Sequence, residues 1–169
     1  MKKIDYLSDD NCLIDTSILL IANIDVADKD QQRITQALID KLSLTGKGCL
    51  SIQNYAEFVN VITRKTNASI SELNKVLSYF RDLFKTLHYC ENEVFDAVGL
   101  CQKYKLHFFD ALLAQAMLYN NIRVIYTEND KDFNKIPGIK AINPFKRIRK
   151  VNLGKLSSPK KISSLKSNK

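Results

Sequence analysis

Short apolar runs alternating with stretches of helical periodicity constrain this chain more than any other feature. "NCLID" at 11–15, "CLSI" at 49–52 and "VIYT" at 124–127 read as strands, with weaker candidates in "TLHYC" (86–90) and "KAI" (140–142). Between them, apolar residues recur every three or four positions. The spacing predicts a helix from about Ser17 and a second one through Ile34, Leu38 and Leu42, broken by Gly46 and Gly48. A third, from about Asn54, carries Tyr55, Phe58, Val59 and Ile62 on one face. Ser71 and Glu72 open a fourth, with the stripe Leu73, Val76, Leu77, Phe80 and Phe84. Residues 92–104 and 110–120 are predicted helices, through Val94, Val98 and Cys101 and through Leu113, Ala116 and Met117.

Strands that alternate with helices in this way favour a parallel sheet covered on both faces. The predicted fold is therefore α/β, a three-layer α/β/α sandwich around a parallel sheet of four or five strands. A chain of 169 residues with a hydrophobic fraction of 45% fits one such domain. No apolar run approaches the roughly 18 residues of a membrane span. The N-terminus, "MKKIDYLSDDN", carries acids where a signal peptide would be apolar, so a cytoplasmic location is expected. Cys12, Cys49, Cys90 and Cys101 form no C-x-x-C pair, and His88 and His107 add no zinc spacing, which points to reduced, buried thiols.

The net charge of +8 suggests nucleic acid until it is divided along the chain. Nine of the 26 Lys and Arg fall after Phe145, where there is no acid. The preceding part then holds 17 basic and 18 acidic residues and is close to neutral. Residues 1–145 are read as the folded domain and 146–169 as a basic tail whose composition does not support a core. Such a tail could contact RNA phosphates or be a solvated extension.

In parallel sheets, functional groups collect beyond the carboxyl ends of the strands. Asp15 ends the first predicted strand, in "LIDTS", where Thr16 and Ser17 are expected to cap the following helix and orient it. Glu57, in "NYAEFVNV", lies one turn into a helix; alone it would be read as a charge reaching out to water. Asp110, in "FFDALLAQAM", stands at the start of a very apolar helix and alone would be read as its N-cap. Asp130 and Asp132 follow a strand, in "TENDKDF". Carboxylates gathered at one sheet edge repel one another and require cations or protons. Hard oxygen ligands suit Mg²⁺ or Mn²⁺, and the matching chemistry is in-line attack of water on a phosphodiester.

From Asn11 to Phe145 the chain resembles the PIN-domain ribonucleases, in particular the VapC-type toxins of VapBC-like toxin–antitoxin pairs. The carriers are "LIDTS", "AEF", "FFDALLAQAM", "TENDKDF" and the closing "INPF". The resemblance implies a metal-dependent endoribonuclease whose acidic triad matches Asp15, Glu57 and Asp110. For the fourth acid, Thr127, Asn129, Asp132 and Phe133 satisfy a T-x-N-x-x-D/E-F pattern, which favours Asp132 over Asp130. Asp15 and Asp110 would bind metal most directly. Glu57 would complete the shell or help activate water, Asp132 would hold a second metal or its water, and Thr127 and Asn129 would position them. Many members have Asn where this chain has Ser17; a hydroxyl can still bond a ligand carboxylate. The resemblance further implies an RNA substrate, a cognate antitoxin and a homodimer.

Two other classes compete. A signalling receiver domain also gathers acids at strand ends. It would need adjacent acids after strand one and a lysine after a late strand, and "LIDTS" and "VIYTEN" supply neither. A PIN-fold module that binds RNA without cleaving it, or a housekeeping RNA-processing nuclease, stays open at this point.

Overall fold

The computed structural model describes residues 10–23 and 28–146, and within them the expected alternation is present. Strands β1 (Cys12–Ile14), β2 (Gly48–Ser51), β3 (Lys85–Leu87), β4 (Val124–Tyr126) and β5 (Lys140–Ile142) form one sheet in the order β3-β2-β1-β4-β5. Every pairing is parallel. The helices are α1 (Thr16–Asn23), α2 (Lys29–Thr45), α3 (Ile52–Lys65), α4 (Ile70–Leu83), α5 (Glu91–Tyr104), α6 (Phe108–Tyr119) and the single turn α7 (Asp130–Phe133). The α/β/α sandwich expected from the sequence is thus observed, with five strands. Apart from Lys146, the basic tail lies outside the described residues.

The central strands β1, β2 and β4, though only three or four residues long, are buried on both faces. Side chains alternate across a strand, so Cys12 and Ile14 of β1, Leu50 of β2, and Val124 and Tyr126 of β4 join one core. That core is closed by Ile18 and Leu19 of α1, Leu38 and Leu42 of α2, Phe58 of α3 and Phe80 of α4. Phe58 and Phe80 meet edge to face, with ring centroids 5.2 Å apart, a favoured aromatic geometry. Leu13, Cys49 and Ile125 point the other way, into a core with Ala97 of α5 and Leu112, Leu113 and Met117 of α6. Each Leu, Ile or Phe buried in these layers contributes roughly 1.5–3 kcal/mol. Gly48 permits the tightest of these approaches. A β-carbon there would lie 2.4 Å from the Phe84 ring, so any side chain would displace it.

The boundaries depart from the sequence reading where capping decides them. Helix α4 starts at Ile70, because Ser69 caps it and Glu72 returns the bond to the Ser69 backbone. Phe84, expected in the helical stripe, is instead its extended C-cap and leads into β3 at Lys85, ahead of the predicted position. Helix α3 starts at Ile52, with the reciprocal pair Ser51 and Asn54 at its N-terminus. Of the four thiols, Cys12 and Cys49 are buried as expected, whereas Cys101 is half-buried and Cys90 is exposed at the start of α5. Among the described residues, no helix is long and apolar enough to cross a membrane.

Candidate active site

From β1 the sheet grows through β2 to β3 on one side, and β4 and β5 lie on the other. In parallel sheets such a reversal is where a binding crevice forms, here beyond the carboxyl ends of β1 and β4. Asp15 follows β1 there, its backbone N–H donating to the Tyr126 carbonyl at 3.0 Å. Its Oδ2 accepts hydrogen bonds from Ser17 Oγ (2.8 Å) and from Thr127 Oγ1 (2.6 Å). Thr127 is fully buried, and its hydroxyl oxygen accepts in turn from the Asn129 N–H at 2.9 Å. Neutral donors therefore orient Asp15.

Asp110 is the third residue of α6, and its helix is capped at His107 without a side-chain bond. The N-cap role that the isolated sequence suggested is therefore not the one observed. Its Oδ2 accepts from Asn129 Nδ2 at 3.1 Å, which ties α6 to the loop after β4. Burial pushes the Asp110 carboxyl above its ordinary range, and the charges of Asp15 and Asp132 push it further the same way. His107 and Asn129 oppose the rise. Acids from two other parts of the chain, after β1 and in α7, thus bear on Asp110.

Asp132, in α7, is held low, first by its bond from Lys135 Nζ at 2.5 Å and then by Asn129. Two residues earlier, Asp130 is buried and pairs with Lys146. After the strand, "TENDKDF" forms a helical turn, and it points these two acids to different partners.

Glu57 sits half-buried in α3 and is not a free charge reaching to water. Its Oε2 accepts from Thr16 Oγ1 at 2.6 Å and its Oε1 from Gln53 Nε2 at 2.7 Å. Thr16, expected to orient Asp15, serves Glu57 instead, and its own oxygen accepts from Asn54 Nδ2 at 3.0 Å. The sequence reading assigns Gln53, Asn54 and His107 no part in the site. The first two are linked to the site by contacts 38 to 56 residues away in the chain, which no local pattern announces.

The donor set is carboxylate, hydroxyl and amide oxygen, suited to Mg²⁺ or Mn²⁺. Among the described residues, no three acidic, His or Cys side chains are grouped so as to hold a metal ion by themselves. Mg²⁺ keeps several waters and takes only one or two carboxylates directly. The open arrangement of mutually repelling acids fits such an ion.

Comparison with known proteins bears on the family and the fold. The PIN domain family model matches residues 12–139. No curated protein matches the chain in sequence. Among solved structures, a toxin–antitoxin complex from Klebsiella pneumoniae is similar at TM-score 0.58 and 20% identity, covering 79% of this chain and 97% of that one. VapBC2 from Rickettsia felis, bound to a promoter DNA fragment, gives TM-score 0.61 at 16% identity, over 78% and 97% of the two chains. VapC20 from Mycobacterium tuberculosis, a toxin that cleaves the sarcin–ricin loop, gives 0.58 at 12% identity, over 76% and 98%. At these identities the structures share the fold. With the family model spanning most of its length, this chain belongs to the PIN domain family.

Proposed function

We propose that the protein is a Mg²⁺- or Mn²⁺-dependent endoribonuclease and the toxin of a toxin–antitoxin pair. PIN domains are generally nucleases. The observation that carries the reading is the placing of Asp110 near Asp15 and Asp132, with Asp15 and Asp110 held by neutral hydroxyl and amide donors and Asp132 paired with Lys135. Like charges so arranged cost stability, and a cation offsets that cost. Asp15 and Asp110 would hold the metal, with Glu57 completing the shell or drawing the proton from the attacking water. Asp132 would hold a second ion or its water. When bound, the metal neutralises phosphate charge and acidifies water. Thr127 and Asn129 fix the carboxylates so that little reorganisation is needed in the transition state. The similar complexes from Klebsiella pneumoniae and Rickettsia felis support an antitoxin partner, and the resemblance to VapC-type toxins supports a homodimer.

Cleavage of bulk RNA, with Mg²⁺ or Mn²⁺ and with EDTA, tests the enzyme. Cleavage that EDTA and Asp110→Asn each abolish is expected. One reading competes, a PIN-fold module that binds RNA without cutting it. RNA binding that survives EDTA, with no cleavage under any metal, would establish it. The toxin assignment has its own test. Expression alone should arrest bacterial growth, and co-expression with the antitoxin should restore it. A harmless, active nuclease would be a housekeeping enzyme.

A further inference from the structure

Gln53 lies one helical turn before Glu57 and is 5% exposed. Both hydrogens of its amide nitrogen are engaged. Nε2 donates to Glu57 Oε1 at 2.7 Å and to the backbone carbonyl of Phe109 at 3.0 Å. Both partners are acceptors, so the amide orientation is fixed, since a flipped amide would set its oxygen against two others. The amide oxygen, Oε1, is buried and has no hydrogen-bond partner among the described residues. A buried orphan carbonyl destabilises a fold, and an apolar side chain of the same length would avoid that cost. The donors of Nε2 are what the amide supplies in return.

Those donors link two acid-bearing elements. Phe109 immediately precedes Asp110, and Glu57 is otherwise bonded through Thr16, the neighbour of Asp15. We propose that Gln53 is a positioning residue that sets the Glu57 carboxylate against the first turn of α6, and so against Asp110. The inference rests on the nuclease reading. Without Gln53, Thr16 alone holds Glu57, through one oxygen, and the carboxylate can turn about that bond. Being buried, Gln53 does not reach RNA, so its loss should spare substrate binding.

The test is steady-state cleavage of a short RNA by the full chain carrying Gln53→Met. Expected is a fall in kcat of roughly 10- to 100-fold, the usual cost of losing a residue that orients a ligand group. KM should stay within about twofold, since no substrate contact is removed, and the thermal melt should stay cooperative. Gln53→Glu keeps the shape but sets a carboxylate against Glu57, and should lose at least as much. In a Glu57→Gln background, Gln53→Met should cost nothing further, because the two act as a unit. Wild-type kcat in Gln53→Met, an undiminished loss in the Glu57→Gln background, or failure of both Gln53 variants to fold overturns the proposal. Asp110→Asn, run alongside, separates the two levels. If it alone abolishes cleavage, only the role of Gln53 fails; if it cleaves normally, the nuclease reading fails first.

Discussion

Among the described helices longer than a single turn, α4, α5 and α6 carry an acid at their third position, and they use it in opposite ways. In α4, Glu72 accepts from the backbone and hydroxyl of Ser69, and those bonds hold its carboxyl below the ordinary range. In α5, Glu93 does the same for Cys90 and is likewise held low. In α6, Asp110 makes no such return bond. It is turned toward Asp15 and Asp132, and its carboxyl is raised. The first two acids stabilise their helices. The third gives up a cap to face like charge, as functional carboxylates do when a site is arranged at the expense of stability.

The largest effect expected from breaking this contrast is on cleavage. Asp110→Asn or Asp15→Asn should reduce RNA hydrolysis by on the order of 10³-fold or more, the scale for residues that act as one catalytic unit. Near-native rates in a folded Asp110→Asn protein would show that its raised carboxyl has no catalytic use. Asp132 and Asp130 give the next test. Asp132→Asn should slow cleavage by roughly 10- to 100-fold. Asp130→Asn should leave the rate alone, since Asp130 is buried against Lys146 rather than bonded to the other acids. Reversed rates would exchange the two roles.

Smaller effects concern stability. Ser69→Ala should cost about 1 kcal/mol in a denaturant melt, with cleavage unchanged. The smallest is a pH dependence. A carboxyl whose folded pKa is raised contributes stability below its unfolded value, near the 3.8 of free Asp, and loses that contribution as pH rises through the folded value. In metal-free buffer, Asp110→Asn should therefore melt a few degrees higher than wild type at pH 7, with the gap closing toward pH 3. For Glu72 and Glu93 the sign is opposite. Their contribution is present above the unfolded pKa and is lost as pH falls through the depressed folded value. A gap that widened in acid would place Asp110 with them.

These differences explain what could be read from the residues alone. The alternation of apolar strands with periodic helices carries the fold, because burial on both sheet faces leaves a continuous apolar signature at β1, β2 and β4. The start of α4 was legible in principle, since Ser69-Ile70-Ser71-Glu72 has the spacing of a capping box, but Ser71 two places on competes for the same role. For Asp110 an N-cap and a site ligand look alike in sequence. Only the observed start of α6, two residues earlier, separates them. Gln53 was only half legible: its bond to Glu57 is a local i, i+4 contact, but the bond that ties it to α6 reaches Phe109, 56 residues away.

The short bond between Thr127 and Asp15 joins residues 112 positions apart. During synthesis, a chain made only as far as α6 already contains Asp15, Glu57 and Asp110. It lacks Thr127 to fix the first of them and Asn129 to hold the last. Pairing of β4 along β1 closes a long loop, an event that comes late because its entropy must be met before the contact is made. An unfinished or truncated polypeptide would thus hold the acids without their alignment. Translation of the last quarter of the sequence sets the moment at which the crevice takes its final form.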